Sequence, residues 1–325
     1  MRSTLLALMG AAFLAGCGAM SQQTASSGGA ITTAEHWVQG VSAADGKPVK
    51  LYVREKYAAS VDPGAAARKG KVVVLAHGAG TPGSVAFDLQ VPGAKGRTYS
   101  MMDDLAGRGY DVFTMDYQNY GRSDKHSCGL CVTTQAAAND LDAVVDHVRK
   151  LRGVDKVHLL GWSWGTTITG LYAMQHPQKV NRLVLYAPPV HTGPLGNVPT
   201  NHFRATTIKN SQDLFEAPAS DPEAVEAWAR EVDKWMPNPP NGVFADLNGR
   251  MPLTDPKKIT PPTMIILGDL DRATPISQPN LPVFFMDLAN KDKQLIIVPN
   301  AGHALVAQKA RGRLYDEAAK WFGLE

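Results

Sequence analysis

Gly161-Trp162-Ser163-Trp164-Gly165 decides how this chain is read. The stretch has the form G-x-S-x-G. An apolar run (Val157, Leu159, Leu160) stands directly before it, and a helix-like spacing (Ile168, Leu171, Tyr172) follows. The bare pattern is common, because Gly and Ser are common. A strand before it and a helix after it make it specific. A chain that passes from strand to helix across one residue turns so tightly that large flanking side chains would strike one or the other. Glycines at 161 and 165 meet that demand, and the Ser163 hydroxyl is pushed out over the end of the sheet.

The flanks on either side repeat the same alternation. Val72-Val73-Val74-Leu75-Ala76 is an all-apolar run suited to a strand covered on both faces. A helix containing Tyr99, Met102, Leu105 and Ala106 follows, then a strand over 111–116. Ala137, Leu141, Val144, Val145, Val148 and Leu151 keep the 3.6-residue period of an amphipathic helix. Beyond the elbow come a strand at 182–187, another at 263–267 and a last one at 295–298. A closing helix carries Leu305, Leu314, Trp321 and Phe322. Upstream, 36–42 and 49–57 read as a hairpin turning at Asp45-Gly46. Strands alternating with helices predict an α/β fold with a mostly parallel sheet flanked by helices and joined by right-handed crossovers. The alternation breaks at about 190–260, a stretch rich in Pro, Asn and Gly with one clear helix at 222–235, so a cap is expected there.

A serine hydroxyl is a poor nucleophile at neutral pH and needs a base, which in turn needs an orienting carboxylate. Both are present in order after later strands: Asp271 in the turn Gly268-Asp269-Leu270-Asp271, and His303 in Pro299-Asn300-Ala301-Gly302-His303. The order Ser163, Asp271, His303 and these turns resemble the α/β-hydrolase superfamily, over roughly residues 36–325. Asp269 is the alternative acid, and the spacing from Gly268 favours Asp271. The resemblance implies an oxyanion hole made by the backbone N–H groups of Trp164 and of Ala79, within His77-Gly78-Ala79-Gly80. It implies a structural role for His77, and a bracing role for Asp116 in the loop Asp116–Ser123.

Taken together, these features predict a cofactor-free serine hydrolase of ester-type bonds on a small-molecule or lipid-like acyl substrate, with no metal. Ser163-Trp164-Gly165 is also similar to the elbow of proline iminopeptidases, although H-G-A-G-T-P-G replaces their H-G-G-P-G. Recognition of a free amine would call on cap carboxylates, for which Asp213, Glu216, Asp221 and Glu223 are available. Aminopeptidase, thioesterase and acyltransferase chemistry are the alternatives on the same three residues. A non-catalytic binding lipoprotein is the alternative from another class. Dehalogenases and epoxide hydrolases of this superfamily carry Asp where Ser163 stands.

The 325 residues suit one α/β domain with an insertion, and a charged content of 19% against 44% hydrophobic describes an ordinary packed protein. A net charge of +3 without a Lys/Arg run argues against nucleic acid. Arg2 precedes an apolar stretch over 5–14, too short to span a bilayer permanently, that ends in Leu14-Ala15-Gly16-Cys17. This end resembles the lipobox of bacterial lipoproteins. The resemblance implies a signal peptide at 1–16, acylation of Cys17 and a flexible tether to residue 35. A plain signal peptide with an incidental cysteine is the alternative. Because Gly18 rather than Asp follows Cys17, the resemblance implies anchorage at the outer membrane facing the periplasm. Export makes a disulfide between Cys128 and Cys131 the expected reading of their C-x-x-C. A redox site would want a thioredoxin-like βαβ context, and a zinc site a second ligand pair.

Overall fold

A computed structural model describes residues 30–191 and 196–324. Cys17 and the whole 1–16 segment lie outside the described residues. In chain order the elements are β1 (Ile31–Val41), β2 (Pro48–Ala58), α1 (Pro63–Arg68), β3 (Val72–Ala76), α2 (Gly83–Phe87), α3 (Met101–Gly107), β4 (Asp111–Met115), α4 (Thr134–Arg152) and β5 (Val157–Trp162). Then come α5 (Trp164–Gln175), β6 (Val180–Tyr186), α6 (Ile208–Gln212), α7 (Pro222–Trp235), α8 (Gly242–Gly249), β7 (Thr263–Gly268), α9 (Leu281–Asp287), β8 (Lys293–Val298) and α10 (Arg311–Phe322).

The eight strands form one sheet in the order β1-β2-β4-β3-β5-β6-β7-β8. β2 runs antiparallel to β1 and β4, and every other neighbour pair is parallel. β3, β4, β5 and β7 are buried at every residue, as strands covered on both faces must be. Right-handed crossovers send the helices to opposite faces: α3 steps one way along the sheet, whereas α4 and α5 step the other. α3 accordingly packs on α10, and α4 on α5. This is an α/β-hydrolase fold. The chain between β6 and β7 leaves the sheet and carries α6, α7 and α8, which fill the expected cap region.

Several boundaries differ from the sequence reading, each for a local reason. β1 begins at Ile31, pairing with Ala58, so residues 31–35, expected in the tether, belong to the sheet. β-branched Ile31, Thr32 and Thr33 suit that extension of the ladder. The helix expected to include Tyr99 starts at Met101, because the Ser100 hydroxyl accepts from the Asp103 N–H at 2.9 Å and caps it. Leu305 lies in a short 3₁₀ turn ahead of α10. α9 is too short for its period to be read.

Candidate active site

The elbow geometry is the strained one that its sequence demands. Ser163 takes φ 55° and ψ −123°, a region that side chains rarely enter. Its N–H is fixed by the Tyr186 carbonyl at 2.9 Å. A Cβ on Gly161 would lie 2.3 Å from the Gly165 carbonyl oxygen, and one on Gly165 would lie 2.3 Å from the Ala76 oxygen. Only glycine fits either place.

Three strand ends deliver the polar side chains. Ser163 follows β5, Asp271 follows β7, and His303 follows β8. His303 Nε2 is 2.9 Å from Ser163 Oγ, and Nδ1 is 2.9 and 3.1 Å from the two Asp271 oxygens. With Nδ1–H donating to the carboxylate, Nε2 keeps its lone pair for the serine hydroxyl. Asp271 also accepts from the Ala273 N–H (2.9 Å), the Thr274 N–H (2.8 Å) and the Thr274 hydroxyl (2.7 Å). Burial pushes its carboxyl up, but His303 and the Thr274 donors outweigh burial and hold it below its ordinary range. It is therefore an anion at neutral pH. The His303 carbonyl accepts from Trp162 Nε1 at 3.0 Å and the Tyr186 hydroxyl at 2.6 Å, which fixes the imidazole from behind.

The loop after β3 lies beside the elbow. A Cβ on Gly78 would come within 3.0 Å of Ser163 Cβ, so this backbone runs past the serine in close contact. His77 is fully buried beneath it. Its Nδ1–H donates to the Gly78 carbonyl at 2.8 Å, and Nε2 accepts from the Tyr117 N–H at 3.4 Å. Burial pulls its imidazole down to about 4, so it is neutral, and its ring packs against Tyr117 and Tyr120. Among the described residues, the Ala79 and Trp164 amides donate to no other group. The Trp164 amide also sits at the positive N-terminal end of α5. Asp116 accepts from the Gly83 N–H (2.8 Å) and the Arg122 N–H (2.9 Å), tying two loops of the floor together.

A chain of hydrogen bonds from carboxylate to imidazole to a partly buried serine thus stands beside two free amides at the ends of these strands. Residues 93–310 match Hydrolase_4, described as serine aminopeptidase, S33. The chain belongs to that family.

Relatives within reach of this Hydrolase_4 protein are distant and varied. It is 31% identical over 118 residues to a 2-hydroxy-6-oxononadienedioate/2-hydroxy-6-oxononatrienedioate hydrolase of Paraburkholderia phymatum, covering 35% of each chain. It is 36% identical over 76 residues to proline iminopeptidase of Neisseria gonorrhoeae, covering 23% of each. The chain thus spans about a third or less of the length of these two relatives. Among solved structures it resembles monoacylglycerol lipase of Paleococcus ferrophilus, with TM-score 0.63, 17% identity and 84% and 98% of the two chains covered. An esterase of Thermogutta terrifontis gives TM-score 0.60 at 17% identity, covering 88% and 97%. At these identities the likeness is one of fold.

Other features of this Hydrolase_4 site lay outside the sequence reading. Thr274 is not among the expected site residues, yet it supplies two of the bonds to Asp271. The Trp164 side chain, read as a hint of substrate, is wholly buried on Tyr117 and Tyr120 and donates to Thr134 Oγ1 at 2.9 Å. It is packing and faces no substrate. Three of the four cap carboxylates that could meet an amine are occupied, Asp213 by Lys209, Glu216 by Gln308 and Arg272, and Asp221 by the Tyr99 hydroxyl, whereas Glu223 is exposed. Cys128 and Cys131 are joined by a disulfide, with Cα atoms 5.3 Å apart. Their loop abuts the cap, for a Cβ on Gly129 would fall 2.0 Å from the His202 carbonyl oxygen.

Proposed function

We propose that this protein hydrolyses ester-type bonds through an acyl-enzyme on Ser163. His303 Nε2 takes the hydroxyl proton as Oγ attacks the acyl carbonyl, and the Asp271 carboxylate stabilises the imidazolium. The Ala79 and Trp164 amides receive the developing oxyanion, a term in which one lost donor costs about 3 kcal/mol. Collapse of the tetrahedral adduct breaks the C–O bond, and His303 returns its proton to the leaving alcohol. Water, deprotonated by the same imidazole, then attacks the acyl-enzyme and frees the acid. The carrying observation is the continuous relay of bonds from Asp271 through His303 to Ser163.

The engagement of Asp213, Glu216 and Asp221 by neighbouring residues supports an ester substrate over one with a free amine. A panel of p-nitrophenyl esters of graded length, run beside aminoacyl arylamides, tests this choice. Turnover of the esters with little or none of the arylamides is expected, and the reverse order would make the protein an aminopeptidase. We further propose that Cys17 is acylated and anchors the protein at the outer membrane facing the periplasm. The support is the Leu14–Cys17 stretch and its position ahead of the domain. Cys17→Ser should move the protein to the soluble fraction, and continued retention in membranes would refute the anchor.

A further inference from the structure

A single cap cation stands over the candidate oxyanion loop without a counter-ion. Arg204 lies between β6 and α6, and its guanidinium reaches back toward the loop after β3. Nη2 would be 3.1 Å from a Cβ on Gly80, the residue after Ala79. Gly80 has φ +75°, so glycine serves there twice, for the turn and for the room. On its other side the guanidinium is fastened to the start of α8. Nη1 donates to the Pro240 carbonyl at 2.8 Å and to Asn241 Oδ1 at 3.2 Å, and the plane stacks on Phe244 at 4.6 Å.

The charge is unbalanced. Burial pulls the guanidinium down from its ordinary range, and the one opposing influence is the Tyr120 hydroxyl, not a carboxylate. Tyr120 is itself fully buried, with its hydroxyl beside the Gly80 amide. Among the arginines whose side chains are described, only one other, Arg311, lacks a carboxylate within 4 Å, and it spends Nε, Nη1 and Nη2 on three backbone carbonyls. Arg204 leaves Nε and Nη2 unspent while only partly covered. A half-buried cation with spare donors costs desolvation energy unless an anion meets it.

Position tells which anion. Gly78 touches Ser163, and Gly80 is two residues further, at most ~3.6 Å per residue. The guanidinium therefore stands on the order of 10 Å from the serine, within reach of one substrate molecule. We propose that Arg204 binds a carboxylate carried by the ester substrate, so the preferred substrates are half-esters of dicarboxylic acids or similar acidic esters. This rests on the ester-hydrolase reading above. The planar fork suits a carboxylate, which accepts two N–H groups side by side.

The probes are mono-p-nitrophenyl adipate and its uncharged counterpart p-nitrophenyl hexanoate, compared in wild type, Arg204→Gln and Arg204→Lys. The ratio of kcat/KM, adipate over hexanoate, should fall about 10- to 100-fold in Arg204→Gln, the range one charge-assisted bond carries. Arg204→Lys, which keeps the charge and loses the fork, should retain part of the preference. The hexanoate rate serves as the internal reference for folded enzyme. An unchanged ratio in Arg204→Gln overturns the proposal and leaves Arg204 as a clamp between cap and loop. Calorimetry with the adipate half-ester on Ser163→Ala, with and without Arg204→Gln, separates this from the wider reading. At least tenfold weaker binding in the double variant supports the anion site even if neither ester is turned over. Equal binding in both refutes the site even if both esters are hydrolysed.

Discussion

The Glu216 carboxylate occupies the space where a side chain on Gly302 would begin: a Cβ there would lie 1.4 Å from Oε2. Glu216 belongs to the cap, and Gly302 precedes His303. Gln308 joins them, donating from Nε2 to Glu216 at 2.9 Å and accepting the Gly302 N–H on Oε1 at 2.7 Å. Arg272, next to Asp271, reaches the same carboxylate at 3.5 Å. A cap residue is thereby bonded to the turns that carry both partners of Ser163. Gly302→Ala should expel Glu216 and shift His303, lowering kcat by about 100-fold, the scale of a 1 Å misplacement. Gln308→Ala, which keeps the space and loses the bonds, should cost less. Rates for both on one nitrophenyl ester, with melting curves to show folding, check the order. Equal and unchanged rates would make the network purely structural.

The elbow glycines predict a steric result. Ala at 161 or 165 would drive a methyl group onto backbone oxygens that cannot retreat, so each variant should lose at least about 2 kcal/mol of stability or fail to fold. Gly107→Ala supplies the contrast. It ends α3 in open space, and the change should be neutral or stabilise by about 0.5–1 kcal/mol. Thermal melts of the three variants decide.

Asp271→Asn keeps the shape of the acid but removes the anion that holds His303 with Nδ1 protonated. A loss in kcat of about 10⁴-fold is expected with little change in melting temperature. A loss below about tenfold would shift the acid's role to Asp269.

The stability contributed by the buried Asp140 carboxyl should fall as pH rises from about 4 to about 7, against the opposite trend of buried His77 and His158, whose imidazoles burial pulls down to about 4. Asp140 is buried in α4 and accepts two bonds from Gln118, each 2.9 Å. Burial pushes its carboxyl up to about 7, and the Gln118 donors recover only part of that. Its folded pKa exceeds the unfolded one, so between those values the native state holds a proton that the unfolded chain has released. That contribution is complete below the unfolded pKa and lost as pH passes the folded one. Asp111, which burial also pushes up to about 7, acts in the same direction. Asp140→Asn should remove this loss, so that its Tm at pH 8 relative to pH 5 exceeds the wild-type difference by at least ~2–4 °C, or about 1 kcal/mol. Parallel slopes would mean that Asp140 stays ionised throughout.

Much of the fold was legible because the information was local. Val72–Ala76 reads as a doubly covered strand from its composition, and Ala137–Leu151 as a helix from its period. The Ser163, Asp271 and His303 turns were legible for another reason: each couples a strand end to a residue type that the chemistry requires. What escaped was non-local. Nothing near Glu216 in sequence announces Gly302, and Arg204 meets Gly80 only because the cap folds back over the sheet. Trp164 misled for the same reason, since its neighbours Tyr117, Tyr120 and Thr134 lie far away along the chain. Ile31–Glu35 was read as tether although its partners, Arg54–Ala58, stand at the far end of the same hairpin, because its own composition carries no apolar alternation.

The central claim is that Ser163 is a nucleophile made reactive by His303 and Asp271. The most direct measurement is covalent labelling by a fluorophosphonate, followed by mapping of the modified residue. Wild type should be labelled stoichiometrically at Ser163, His303→Ala far more slowly, and Ser163→Ala not at all. Absence of label in folded wild type, or equal labelling of Ser163→Ala, would contradict the account and favour a fold kept for binding alone.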